Sequence, residues 1–138
     1  MTKFVKYIFI ITIFLLAYNS LSAQLDSVMN DCEKYLNEEF ISDGQQYLSL
    51  ITSDQVAEFS VIFYGGNTYR VISCGGNNNI NFVVFDKFRN ELFRSSEYNN
   101  TNFWDFQIES TIECFVEAKF SSKSEKSGFA VLLIGLKK

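Results

Sequence analysis

Apolar and polar residues keep two different rhythms along this chain, and the change from one to the other falls near Asp43. Before it, Leu25, Val28, Met29, Cys32, Tyr35 and Leu36 recur at spacings of three and four, with acids and amides between them. That period lays one apolar stripe along a helix, so residues 24–40 are expected to be a single amphipathic helix capped by Asp26 or Ser27. After Asp43 the period is two. Residues 45–51 form a first strand behind a Ser42-Asp43-Gly44 turn, and Ala57, Phe59, Val61 and Phe63 alternate with Glu58, Ser60 and Ile62 along a second. Tyr64-Gly65-Gly66-Asn67 has the glycines and amide of a hairpin reversal into a return strand over 68–74.

Residues 75–79, Gly-Gly-Asn-Asn-Asn, are a second loop, followed by alternation at Ile80, Phe82 and Val84. A turn over 86–90 leads to a short strand at 91–94 and then to an Asn-rich loop at 95–102. Trp104, Phe106 and Ile108 face opposite to Asp105, Gln107 and Glu109. Ile112, Cys114, Val116, Ala118 and Phe120 alternate with Glu113, Glu117 and Lys119. A charged turn over 121–128 precedes residues 129–136, which are apolar on both faces, as a central strand covered on both sides would be. Eight short strands with turn signals between them, and no helical segment among them, predict an all-β, antiparallel sandwich of jelly-roll-like form with a short N-terminal helix.

The first 23 residues stand apart. Lys3 and Lys6 precede an uncharged apolar run over 7–17, and Leu21-Ser22-Ala23 ends it with small residues. This is the layout of a cleavable signal peptide, and 11 apolar residues fall short of the ~20 that a spanning helix needs. An uncleaved N-terminal anchor is the alternative. The chain thus divides into a signal peptide (1–23), a helical segment (24–42) and a β-sandwich (43–138), with a secreted or periplasmic destination and no stable membrane insertion after cleavage. Loss of the two lysines moves the net charge from −4 to −6. An acidic domain does not attract nucleic-acid phosphates, so no nucleic-acid partner is expected.

Twelve Phe, five Tyr and one Trp remain beyond residue 23, ample for a small core. Cys32, Cys74 and Cys114 allow three pairings in an oxidising compartment. Cys74 with Cys114 is preferred, because both sit on expected strands with a long loop between them; three buried free thiols are the alternative. The chain has no His and no Pro. Without imidazole there is no Ser-His-Asp or Cys-His arrangement, and three scattered Cys lack zinc spacing. No Gly-rich phosphate loop is present, since both Gly-Gly turns lack a following helix and lysine. No catalytic residue, metal ligand or cofactor is assigned. The carboxylate pairs Asp86 with Glu91 and Asp105 with Glu109 are the candidates for a hydrolase, all at turns or on an expected solvent face. Asp43, Asp54, Asp86, Asn77–79 and Asn99–102 offer calcium-type oxygens without calcium-loop spacing. Trp104 shares its face with Phe106 and Ile108 and is expected in the core. Tyr64, Tyr69 and Tyr98 lie at or near loops and are the candidate ligand-binding residues.

The segments FISDGQQY (40–47), FYGGNTYRV (63–71), NFWDFQIESTIEC (102–114) and SGFAVLLIGLKK (127–138) resemble a group of small secreted bacterial proteins without an assigned role. More distantly, residues 67–71, 82–86 and 90–92 are similar to the bacterial pre-peptidase C-terminal domain. That resemblance implies a jelly-roll-like, non-catalytic accessory domain, some of whose members bind polysaccharide or collagen. The leading expectation is a secreted non-catalytic module that binds a polysaccharide or a protein. The alternatives are an assembly component acting through exposed sheet edges and, behind both, a carboxylate-based hydrolase.

Overall fold

The computed structural model describes residues 2–76, 80–123 and 127–138, and side chains throughout these except at 16–21. A helix, α1 (Thr2–Glu33), precedes eight strands: β1 (Phe40–Thr52), β2 (Ala57–Phe63), β3 (Asn67–Cys74), β4 (Ile80–Asp86), β5 (Glu91–Arg94), β6 (Phe103–Ile108), β7 (Ile112–Phe120) and β8 (Ser127–Lys137). They form two four-stranded sheets, ordered β1-β8-β3-β6 and β2-β7-β4-β5. All pairings are antiparallel. β1 pairs with β8, β2 with β7, β3 with β6 and β4 with β5. That nesting is one long two-stranded ribbon, with the β4–β5 hairpin at its tip, rolled into a two-layer jelly roll.

The alternation read from sequence decides which side chains fill the space between the layers. Phe59, Val61 and Phe63 of β2, Phe82 and Val84 of β4, Cys114 and Val116 of β7 and Leu132 and Ile134 of β8 share one core. β3 and β8 are apolar on both faces because the first sheet is covered on both. Ile72, Cys74, Val131 and Leu133 point outward into a second cluster with Val28 and Cys32 of α1. α1 runs unbroken from Thr2 and ends at Glu33, so neither Asp26 nor Ser27 caps it and the expected helix over 34–40 does not form. The chain instead reverses through Asn37, whose φ is +51°, and enters β1 at Phe40. The expected Ser42-Asp43-Gly44 turn is a bulge inside β1: the register with β8 shifts between Ser42 and Gln46, and Gly44 takes φ +86°. No helix of the described residues is long and apolar enough to cross a membrane.

The segment 64–67 is not a hairpin turn. It carries the chain from β2 in one sheet to β3 in the other. Both uses need glycine: Gly66 has φ +82°, and a Cβ on Gly65 would come within 2.7 Å of the Glu109 carbonyl oxygen. The preferred Cys74–Cys114 pairing is also overturned. The disulfide joins Cys32 to Cys74, with Cα atoms 5.7 Å apart, and Cys114 is buried as a free thiol. Cys74 projects from the outer face of its sheet toward α1, whereas Cys114 projects into the space between the sheets, so the two face opposite compartments of the core.

A second fastener lies beside the disulfide. Arg70 of β3 is buried, and its Nε and Nη2 donate to the two carboxylate oxygens of Asp105 on β6 at 2.7 and 2.8 Å. Its Nη1 donates to the Tyr35 carbonyl at 2.8 Å, and its guanidinium lies 4.1 and 4.4 Å from the ring centroids of Phe40 and Phe103. One side chain thus ties the segment after α1 to β1, β3 and β6. Arg70→Ala strips a near-buried bidentate ion pair and is expected to cost about 2–3 kcal/mol, read as a fall in the urea midpoint with unchanged slope. Burial raises the Cys114 thiol to about 11, which keeps it protonated at neutral pH. Non-reducing mass spectrometry after alkylation should therefore find a Cys32–Cys74 bridge and no label on Cys114 until the protein is unfolded. A label on native Cys114 would contradict its burial, and a bridge that includes Cys114 would contradict the pairing.

Candidate functional site

The three tyrosines singled out from sequence do not form one site. Tyr69 is only 4% exposed, on the inner face of β3, and its hydroxyl accepts from the Tyr64 amide at 3.2 Å. It is a core residue and offers no ring to a ligand; alternation with buried Val71 explains its position. Tyr64 is exposed on the arch between β2 and β3. Tyr98 is exposed after the short helical turn Ser95–Glu97, beyond β5 and so at the opposite end of the sandwich from Tyr64. It stacks on Phe93 at 5.3 Å and packs against Trp104 at 4.5 Å. Trp104 is half-buried and packs against the main core, closing the gap between the sheets where β5 and β6 end them.

The carboxylate pairs proposed for hydrolysis are committed to structure. Asp105 holds Arg70, and Glu91 pairs with Arg94 of its own strand. Asp86 organises a turn: its Oδ1 accepts from the amides of Phe88 and Asn90 at 2.8 and 2.9 Å, and its Oδ2 from the Asn90 side chain at 2.8 Å. Of the calcium-type oxygens, those of Asn77–79 lie outside the described residues. Asp43 is occupied by the amide and side chain of Gln45 within the bulge. Among the described residues no group of three Asp, Glu or Cys converges on a metal position.

What the sequence reading passed over is the tip of the rolled ribbon. Phe88, in the β4–β5 turn, is 74% exposed, more than any aromatic of the strands. It is held out by bonds on either side of it. Asp86 fixes the Phe88 and Asn90 amides, and the Asp86 amide donates to the Asn90 carbonyl at 3.0 Å. Arg89 takes φ +65° and lays its guanidinium along the outer face of the second sheet. There it donates to Glu58 at 2.8 and 3.1 Å and to Glu117 at 3.3 Å, 4.5 Å from the Phe115 ring centroid. Phe88 therefore stands on a turn whose backbone is fixed before any partner arrives. The Lys87 ammonium lies 5.0 Å from its ring centroid.

Beside it runs an open groove of about 380 Å³ lined by Ile62, Asp86, Lys87, Phe88, Thr111, Ile112 and Glu113. The end of β2, the start of β7 and the end of β4 meet there because β7 runs antiparallel to both neighbours. Ile62, exposed on β2, and Phe88 supply apolar walls; Asp86 and Glu113 outnumber Lys87 among the charges. An isolated apolar side chain on a surface needs no explanation, but a Phe on a fixed backbone at the rim of a groove has the form of a binding anchor.

No family model matches the chain, and no curated protein does. Among solved structures the fold is similar to that of PliG of Aeromonas hydrophila, a periplasmic lysozyme inhibitor of g-type lysozyme. The match has a TM-score of 0.52 at 15% identity and covers 70% of this chain and 91% of that one. That likeness is one of fold.

Hydrogen bonding from the Asn90 side chain and the backbone amides holds the Asp86 carboxyl below its ordinary value of 3.8, and the Arg89 guanidinium does the same for Glu58 below 4.5. Groups whose folded values are depressed stabilise the turn fully above their ordinary values and release it as pH falls through the lower ones. The Phe88 and Asn90 amides should keep their hydrogen-exchange protection, corrected for intrinsic rate, down to pH near 4 and lose it below. In Asp86→Ala that protection should be absent at every pH. Wild-type protection unchanged at pH 2 would show that the carboxylate does not hold the turn.

Proposed function

We propose that this chain is an exported, non-catalytic binding module whose ligand is a folded protein, gripped by Phe88 and the groove beside it. The observation that carries this reading is Phe88, 74% exposed on a turn whose backbone is fixed, at the rim of an apolar-walled groove. Interfaces draw most of their affinity from a few aromatic anchors, and an anchor on a backbone that is already ordered has less entropy to lose on docking. A protein with a pocket for one ring and a basic surround suits a groove where acids predominate, on a chain of net charge −4.

Three further observations support the reading. The signal-peptide layout of residues 1–23 directs the chain out of the cytoplasm. The Cys32–Cys74 disulfide belongs in an oxidising compartment. The similarly folded PliG is, by its description, an inhibitor of another protein, and the pre-peptidase C-terminal resemblance likewise implies a module without catalysis. Of the four acids considered for a hydrolase, Asp105, Glu91 and Asp86 are already engaged by Arg70, Arg94 and the β4–β5 turn.

The test is affinity capture and titration with protein purified after expression of the complete sequence, against envelope and extracellular proteins and a panel of lysozymes that includes a g-type enzyme. A glycan array runs in parallel. Phe88→Ala should weaken the protein complex at least about 30-fold, the cost of an interface hot spot, while leaving the unfolding midpoint unchanged. Binding of glycans alone, or a protein complex indifferent to Phe88→Ala, would refute the proposal.

A further inference from the structure

Two sheets of four strands leave four edges, formed by β1 and β6 in one and by β2 and β5 in the other. An open edge is a row of unpaired N–H and C=O groups, and soluble proteins normally guard it with charge or proline. Three of the four edges here carry charge: Glu58 on β2, Glu91 and Arg94 on β5, and Asp105 on β6. β1 carries a single charge, Asp43, confined to its bulge. Its ladder with β8 beyond the bulge runs from Gln46 to Thr52, and from Gly44 to Ser53 the chain has no charged residue and no proline.

The outward side chains of this stretch are apolar as well. Leu48 is 47% and Leu50 62% exposed. On β8 they sit opposite Val131 and Phe129, which belong to the apolar layer under α1. That layer therefore runs out to the free edge, where no described residue covers it. The available ladder is bounded at one end by the bulge at Gly44 and at the other by Thr52, whose amide already donates to the Gln55 side chain at 2.9 Å.

We propose that β1 pairs antiparallel with β1 of a second copy, joining two four-stranded sheets into one of eight. Charge selects this occupant. The chain is acidic overall, so most approaches of two copies bring like charges together, whereas apposing residues 46–52 of two β1 edges brings none. Geometry selects it too. Antiparallel pairing about a two-fold axis perpendicular to the sheet keeps the outer faces on one side, so Leu48 and Leu50 meet their counterparts and extend the apolar layer across the junction. The pairing closes: it uses both β1 edges, and the remaining edge of each sheet, β6, carries Asp105. The surface is distinct from the Phe88 groove, which lies on the other sheet, so the two proposals stand or fall separately.

The test is sedimentation velocity on protein purified after expression of the complete sequence, over about 1–500 μM, a range suited to a small interface. A monomer–dimer equilibrium is expected. Leu48→Lys/Leu50→Lys places four like charges across the junction and should raise the dimer dissociation constant at least about tenfold. In the wild type, hydrogen exchange of the peptide spanning residues 46–51 should slow as concentration rises through the transition, a readout that stands even if the double variant misfolds. A monomer at every concentration, a dimer whose 46–51 amides exchange no more slowly than in the monomer, or one that survives in the folded double-lysine variant would overturn the proposal.

Discussion

The outer face of the β1-β8-β3-β6 sheet must be covered, and that constraint governs the rest of the molecule. β3 and β8 present Ile72, Cys74, Val131 and Leu133 on that face, all buried. Burying such side chains stabilises by about 1.5–3 kcal/mol each, so the segment that covers them is part of the core rather than a leader lying on it. Among the described residues, the end of α1 and the turn after it do so. Two chemically different fasteners hold them. The Cys32–Cys74 disulfide closes a loop over a separation of 42 residues, worth about 3–4 kcal/mol through restriction of the unfolded chain. Arg70 binds the Tyr35 carbonyl and the Phe40 ring while paired to Asp105. Gly135 shows how close the cover sits, since a Cβ there would lie 2.7 Å from the Leu36 side chain.

The second sheet has the opposite constitution. Its outer face carries Glu58, Glu113, Glu117 and Lys119, with no element laid over it. Among the described residues, what crosses it is a side chain, Arg89, reaching back from the ribbon tip to Glu58 and Glu117. Exposed ion pairs contribute little to stability, typically below about 1 kcal/mol. Their effect here is positional: a turn residue with φ +65° has its head group anchored to two strands, and the Phe beside it inherits the rigidity. The covered sheet supplies the framework, and the solvated sheet is free to present a surface.

How much of this could be read from sequence follows from which faces alternate. β2 and β7 have one wet face, so their strict alternation placed Phe59, Val61, Val116 and Ala118 in the core correctly. β3 is buried on both faces, so alternation assigned no direction to Cys74, and the pairing with Cys114 was chosen on loop length when facing direction decides it. A Gly-Gly step marks a sharp reversal but not whether the strands it joins share a sheet; at 64–67 they do not. Tyr69 looked like a loop residue because it lies two positions from that step, although Val71 on the same parity pointed inward. The bulge at Gly44 and a turn share one sequence signal, because both demand a positive φ. Phe88 left a signal that went unused: an aromatic in the middle of Asp-Lys-Phe-Arg-Asn, where a purely solvated turn gains nothing from one.

The same reasoning separates the two surfaces by the kind of partner each suits. The β1 edge is specific only through backbone pairing and two leucines, so its selectivity rests on the absence of charge, and the best match for an uncharged edge on an acidic protein is that edge again. The Phe88 tip would draw its specificity from one aromatic side chain on a fixed turn. Rigidity there costs the free protein conformational freedom during folding, when the turn is tied down by Asp86 and Arg89, and not at the moment of binding. A turn serving only to reverse the chain between β4 and β5 would need neither the aromatic nor the reach of Arg89 across two strands. Both are accounted for if the ribbon tip is a preformed half of an interface.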